Sequence, residues 1–228
     1  MSLEIVTFPH PALKEQAQPV ECFDEELKQL VAEMTTLMHA HEGVGLAATQ
    51  VGVSRQLLLL SSYAFLSPEE RAKAAEDPSW EGEVFVVINP RVTAQSEEQE
   101  LDYEGCLSFP EVYIKVSRPK RVMIEAFDVE GAPITLEGEG FGARAILHEM
   151  DHLSGKVMTD HLSYLARQSA LNKHRRVQKA RAASRGAEGK AEADTMAAKL
   201  SSQGSVRGTV KRGAKAGAKR AGKAKKKR

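Results

Sequence analysis

The apolar positions of the chain follow two periods. Leu27, Leu30, Val31, Met34, Leu37 and Met38 recur at steps of three and four, one stripe that predicts an amphipathic helix ending near residue 40. Asp24 stands where its N-cap belongs, and Glu25 and Glu26 fill the first turn, where the helix dipole favours carboxylates. Core packing accounts for that stripe. His39 and His41 at its end have no partner at metal-ligand spacing and read as surface residues. Elsewhere the apolar residues alternate or run unbroken. Leu57-Leu58-Leu59-Leu60 predicts a short buried strand, and Val84-Phe85-Val86-Val87-Ile88 another, which Asn89-Pro90 should stop. Ile114 to Val116 and Arg121 to Phe127 alternate as strands do, with Val122, Ile124 and Ala126 on one face. Asp128-Val129-Glu130-Gly131 reads as a turn and Ile134-Thr135-Leu136 as the returning strand.

The segments between these elements are more polar. Residues 3–20, with Pro9, Pro11 and Pro19, should wrap the body in extended form. Gly43 to Gly52 is a run of small residues that permits close backbone approach, and without a following Lys-Ser/Thr it is no phosphate loop. Residues 63–82 form a polar segment in which Pro68 to Ala72 resembles a short surface helix, and Glu97 to Glu100 is a solvated turn. Gly138-Glu139-Gly140 breaks the chain before Ala145-Ile146-Leu147-His148-Glu149-Met150-Asp151-His152, whose apolar residues suit a buried helix. Ser163 can cap a last helix that runs to about Ala183. The fold class is therefore α+β: short, mostly antiparallel strands around a central buried helix, followed by a C-terminal helix. Beyond Gly186 the composition cannot bury a core and should be disordered. This divides the chain into a folded body over 1–165, a basic helix over 166–185 and a disordered basic tail over 186–228.

Charge sharpens the division. The net charge of +1 conceals two opposed parts. Residues 1–165 hold 12 Lys and Arg against 28 Asp and Glu, and residues 166–228 hold 20 against 3. A polycationic tail binds polyanions by releasing their counterions, largely without reading sequence. The tail has no aromatic residue, so it offers no base-stacking platform. The two cysteines, Cys22 and Cys106, argue for a reducing compartment rather than a disulfide scaffold. No basic leader with an apolar core opens the chain and no run of 18 apolar residues occurs, so a cytoplasmic protein without a membrane span is expected.

Candidate chemistry concentrates in His148-Glu149-Met150-Asp151-His152, an H-E-x-x-H pattern. Residues four apart on a helix stack one turn apart on one face, so both imidazoles can meet one metal ion, with Glu149 beside them to take a proton from water. Two imidazoles do not complete a site. A buried helix whose histidines only hydrogen-bond is the plainer reading of the pattern alone. A zinc endopeptidase would draw a third ligand from downstream, where His161 is on offer but not at the usual spacing. A nucleic-acid-binding protein with a structural metal would need a fourth ligand, and no further Cys or His stands at a suitable spacing. Cys106, between Gly105 and the tight Ser108-Phe109-Pro110 turn, is either the missing thiolate or an inert buried cysteine.

Three stretches occur together: Gly43-Val44-Gly45-Leu46-Ala47-Ala48-Thr49-Gln50, Glu104-Gly105-Cys106-Leu107-Ser108, and His148 to His152. In order and spacing they resemble the three motifs of the peptide deformylases, over roughly residues 3–165. The resemblance implies a deformylase-like catalytic domain over 1–165 that hydrolyses the N-formyl group from the formyl-methionine of nascent polypeptides. It implies metal ligation by Cys106, His148 and His152, with Fe2+ as native cation and Zn2+, Ni2+ or Co2+ as substitutes. It gives Glu149 the role of base, and the Gln50 amide and the Leu107 backbone N–H the role of donors to the formyl oxygen. The backbone near Gly45 falls where an extended peptide pairs, and Gly105 is a further substrate-binding position. Val44, Phe141, Ala145, part of His148 and Arg144 fall along the wall of a methionine pocket, Arg144 through its aliphatic stem with the guanidinium turned outward. Glu42 and Arg118 are candidates for an ion pair holding the loops of the site, with pairing at the surface as the alternative. Nascent formyl-Met peptides are the implied partners, and docking on ribosomal RNA through the basic tail is a further expectation. The tail could equally lie on the acidic body, or stay solvated without a partner.

Overall fold

A computed structural model describes residues 3–77, 80 and 82–203. The elements run α1 (Glu25–Ala40), β1 (Gly45–Ala47), β2 (Leu57–Ser61), α2 (Pro68–Glu76), β3 (Val84–Gln95), β4 (Gln99–Cys106), β5 (Phe109–Pro119), β6 (Arg121–Phe127), β7 (Pro133–Glu139), α3 (Phe141–Leu153) and α4 (Tyr164–Gln203). Five strands form one antiparallel sheet in the order β1-β2-β3-β6-β7, and β4 and β5 form a separate antiparallel pair. The mixed helix and antiparallel-sheet class read from the pattern is the one observed.

β2 explains the unbroken leucine run. Successive side chains of a strand point to opposite faces. Leu57 and Leu59 join Leu27, Met34 and Met38 of α1, while Leu58 and Leu60 join Ala143, Ile146 and Leu153 of α3. The sheet is thus covered on both faces, which is where solid apolar strands belong. α1 begins where the sequence placed it, with the Asp24 side chain accepting the Leu27 backbone N–H at 3.0 Å. α2 opens with a reciprocal cap: Glu70 N–H to Ser67 Oγ at 3.3 Å and Ser67 N–H to Glu70 Oε2 at 2.8 Å.

β3 corrects one expectation. It does not stop at Asn89-Pro90 but continues to Gln95. Asn89 takes a left-handed backbone (φ +51°), and its side-chain amide exchanges two hydrogen bonds with the Val20 backbone at 2.8 and 2.9 Å. The register against β6 shifts between Ile88 and Arg91. Pro90 therefore sits in a bulge, where a missing N–H costs no ladder bond.

The N-terminal segment does wrap the body, though not wholly extended, since Pro11–Lys14 forms a short helical turn; it ties the first two motif stretches to each other and to the end of α3. Val6 N–H donates to Gln50 O at 2.8 Å, Phe8 N–H to Ser108 O at 3.0 Å, and Ala17 N–H to Leu153 O at 2.8 Å. The first turns of α4 secure the same segment: His174 Nε2 and Gln178 Nε2 each lie 2.8 Å from Phe8 O. Met1–Ala180 accordingly forms one compact unit and Arg181–Arg228 a second. α4 does not end near Ala183 but continues to Gln203, so the expected disorder fails for 186–203. Alanine, lysine, glutamate and methionine there are strong helix formers. The rest of the expected tail, 204–228, lies outside the described residues. Among the described residues no helix is long and apolar enough to cross a membrane.

Candidate metal centre

The centre forms where the end of β4 faces the middle of α3. Gly140, at φ +55°, turns the chain out of β7, and α3 then buries Ala143, Arg144, Ile146, His148, Glu149 and His152. Glu104 and Cys106 lie two apart at the end of β4, across a shift in its pairing with β5, and both reach α3. Glu104 Oε2 is 2.9 Å from His148 Nδ1, and Cys106 Sγ is 3.3 Å from His152 Nε2. One ligand atom each from Cys106, His148 and His152 lies within 4.8 Å of the others. The imidazole rings stand 5.1 Å apart at 77°.

The donor set suits a divalent cation. Glu104 occupies Nδ1 of His148, which leaves Nε2 with a lone pair, the usual outer partner of a metal-bound imidazole. Burial alone would push the Cys106 thiol up, but the charge of His152 and hydrogen bonds with His148 and His152 hold it well below its ordinary value. It is poised as a thiolate, the form that binds metal. Burial also opposes ionisation of Glu104, and the hydrogen bonds from His148 and Arg118 overcome it, keeping the carboxyl well below the usual range. Glu149 behaves oppositely. Burial lifts it to about 7, against the pull of the two imidazoles. Its Oε2 is buried without a hydrogen-bond partner. A buried, unsatisfied carboxylate oxygen beside a thiol and two imidazoles is a group built for something absent from the chain itself.

The oxygen-binding candidates flank this group. Gln50 is buried, and its Oε1 accepts the Ala47 N–H at 2.8 Å. That contact turns Nε2 toward Cys106 Sγ at 3.5 Å and Ser108 Oγ at 3.4 Å. Leu107 follows Cys106 in the turn between β4 and β5, half-buried against the α1 side of the core. Gly45 on β1 brings backbone close against Glu149: a Cβ there would stand 2.5 Å from Glu149 Oε1. Gly105 is exposed, and the Tyr113 ring lies 2.8 Å from where its Cβ would be. Val44, Phe141 and Ala145 are half-buried, and the Arg71 guanidinium of α2 lies 4.8 Å over the Phe141 ring. The polar insertion thus packs on the first turn of α3.

Two expectations are corrected. Arg144 does not turn its guanidinium outward. It is 3% exposed, and the guanidinium donates to Glu104 Oε1 at 3.1 Å and to the carbonyls of Val116 and Glu100, each at 2.8 Å. A charge so buried must be paired, and Glu104 is the carboxylate within reach. Arg118 does not pair with Glu42. Its Nε and Nη2 grip Glu104 at 2.8 and 3.0 Å, and its Nη1 reaches Asp151 at 2.6 Å. Glu104 is the functional residue that sequence reasoning passed over, although it stands in a quoted motif. Its two-residue offset from Cys106, and the four-residue offset of Arg144 from His148, were the available signals.

Comparison with known proteins points to one family. The family model described as polypeptide deformylase matches residues 2–168. A peptide deformylase of Acinetobacter baumannii is 41% identical over 179 residues, covering 78% of this chain and 93% of the relative. That of Phenylobacterium zucineum is 38% identical over 177 residues, covering 78% and 97%. Among solved structures, a peptide deformylase from Legionella pneumophila superposes with a TM-score of 0.69 at 34% identity, over 80% of this chain and 98% of the other. One from Ehrlichia chaffeensis, in complex with actinonin, gives 0.65 at 36% identity over 76% and 96%.

Proposed function

The chain belongs to the polypeptide deformylase family, and from that membership we propose how its own residues remove the formyl group from the starting formyl-methionine of nascent chains, releasing formate. Cys106, His148 and His152 hold one divalent cation, Fe2+ in the cell, with Zn2+, Ni2+ or Co2+ able to replace it. Such a cation supplies Lewis-acid activation of the formyl carbonyl and of water.

Glu149 moves the proton. Its carboxyl sits beside Cys106, His148 and His152, buried and with one oxygen unpartnered, and burial raises its proton affinity above that of an ordinary carboxylate, which suits a general base. It takes the proton of the attacking water and delivers it to the departing amine. The Gln50 amide, fixed through the Ala47 N–H, and the backbone N–H of Leu107 stabilise the charge that gathers on the formyl oxygen; losing one such donor typically raises a barrier by about 3–4 kcal/mol. Gly45 and Gly105 lend backbone to an extended peptide, and Val44, Phe141 and Ala145 line the methionine pocket. Arg144 is left out of that wall, because its guanidinium serves Glu104.

The convergence of a thiol and two imidazoles beside an unsatisfied carboxylate carries this reading. His161, the downstream ligand that an endopeptidase would need, instead faces Asp151 at 2.6 Å. Among the described residues no fourth Cys or His joins the group to close a structural site. Formate release from formyl-Met-Ala-Ser, set beside internal cleavage of an N-blocked unformylated peptide, tests it: only the first reaction is expected. Internal cleavage without formate release contradicts it. A cytoplasmic location and docking of the basic tail on ribosomal RNA belong to the same reading. Deleting residues 184–228 should abolish salt-sensitive cosedimentation with ribosomes; unchanged cosedimentation removes the tail from the account.

A further inference from the structure

His161 enters none of the roles above, yet it ends an unbroken chain of polar contacts that begins on a metal ligand. His148 Nδ1 lies 2.9 Å from Glu104 Oε2. Glu104 is gripped by the fork of Arg118 at 2.8 and 3.0 Å. The remaining arm, Arg118 Nη1, donates to Asp151 Oδ2 at 2.6 Å, and that same oxygen lies 2.6 Å from His161 Nε2. Arg118 Nη1 and His161 Nε2 also approach within 3.3 Å. Arginine has no acceptor. With the proton of His161 on Nε2, the short approach is two donors converging on one carboxylate oxygen.

We propose that His161 is a positioning residue for His148, acting through Asp151, Arg118 and Glu104. Arg118 and Asp151 are buried or nearly so, with side-chain exposures of 6% and 16%, whereas His161 is 31% exposed. The imidazole closes the solvent end of the chain. Without its N–H, Asp151 has one protein donor fewer, and water competes for the oxygen that fixes the third arm of Arg118. The fork on Glu104 then loosens, and with it the hydrogen bond that sets the tautomer and orientation of His148. Outer partners of metal-binding imidazoles act in this way, and their loss typically costs about 10–100-fold in metal affinity. His161 is itself held firmly. It ends a short helical turn, Met158–His161, in which Met158 and Thr159 are buried. Asp160 in that turn accepts the Val157 N–H at 2.9 Å and pairs with Lys14 and with Arg167. The turn leads directly into α4, so the placement of α4 on the body and the aim of a metal ligand are mechanically linked.

The inference rests on the metal reading, and the experiment separates the two. The full-length protein is loaded with Co2+ in place of the native cation. Its visible ligand-field and thiolate-to-cobalt bands are recorded, and release of Co2+ to a chelator is timed. His161→Ala and His161→Phe are expected to release Co2+ about tenfold faster and to shift the ligand-field bands. His161→Gln, which restores an N–H near the place of Nε2, is expected to stay within about twofold of the parent. His161→Phe keeps a ring of similar bulk, so it replaces the alanine variant should that fail to fold. If Ala and Phe match the parent, His161 positions nothing. If Gln is as impaired as Phe, the effect is not the hydrogen bond and the inference falls. A parent protein that shows no thiolate-to-cobalt band overturns the metal reading beneath it.

Discussion

Glu149 carries two demands in one side chain: it must be buried beside the ligands, and it must change protonation near neutral pH. Burial raises it from 4.5 to about 7. A carboxyl whose folded value is raised binds its proton more tightly when folded. Its contribution to stability is therefore complete below about 4.5 and lost as pH climbs through about 7. Metal-free protein should lose stability between about pH 4.5 and 7 relative to Glu149→Gln, by at most about 3 kcal/mol, and change little above that window; equal slopes in urea titrations of the two proteins would contradict the burial argument. The same substitution should lower deformylation by roughly 10²–10⁴-fold while metal content is unchanged. Gly45→Ala brings a methyl against the Glu149 carboxylate, 2.5 Å from Oε1. It should reduce kcat at least about tenfold, with a small change in melting temperature. An active Gly45→Ala protein would mean that β1 and Glu149 do not meet as described. The H-E-x-x-H spacing and the thiol were legible as residue types. The partners of Glu104 were not, because pairing Arg144 and Arg118 with it needs three elements brought together from positions up to 40 residues apart.

Local pattern was most informative for elements whose burial repeats. α1 follows its apolar stripe from its Asp24 cap to Ala40, and β2 is buried along its whole length as its four leucines require. β3 departs from its local pattern, in which Asn-Pro ordinarily ends a strand. Only the tertiary contact between the Asn89 amide and Val20 allows the chain to bulge and continue. Asn89→Ala removes both hydrogen bonds and puts alanine at φ +51°, and should cost about 2–3 kcal/mol in urea unfolding. A cost below about 0.5 kcal/mol would show that the bulge holds without that amide. α4 departs in the other direction: helix propensity carries it past Ala183 to Gln203.

At the scale of the molecule, the compact unit extends through Ala180 because Ala170, His174 and Gln178 of α4 pack on the body and hold Thr7 and Phe8. A chain ending at Ser184 should melt with the full-length protein, and one ending at Leu162 roughly 5 °C or more lower. Equal melting of all three would make α4 an appendage rather than part of the body. The acidic body and the basic residues beyond it were plain in the charge count. How the body's carboxylates divide between surface and site was not: Glu104 and Glu149 are both buried, yet one is held ionised and the other lifted toward neutrality. The claim on which everything else depends is that a cation held by Cys106, His148 and His152 works with Glu149 to free formate. Formate release from formyl-Met-Ala-Ser by anaerobically metallated protein, with Glu149→Ala beside it, tests that most directly. The account predicts formate in proportion to bound metal for the native chain, and for Glu149→Ala one bound metal with almost no formate. Equal formate from both proteins, or formate that survives complete metal removal, would contradict it.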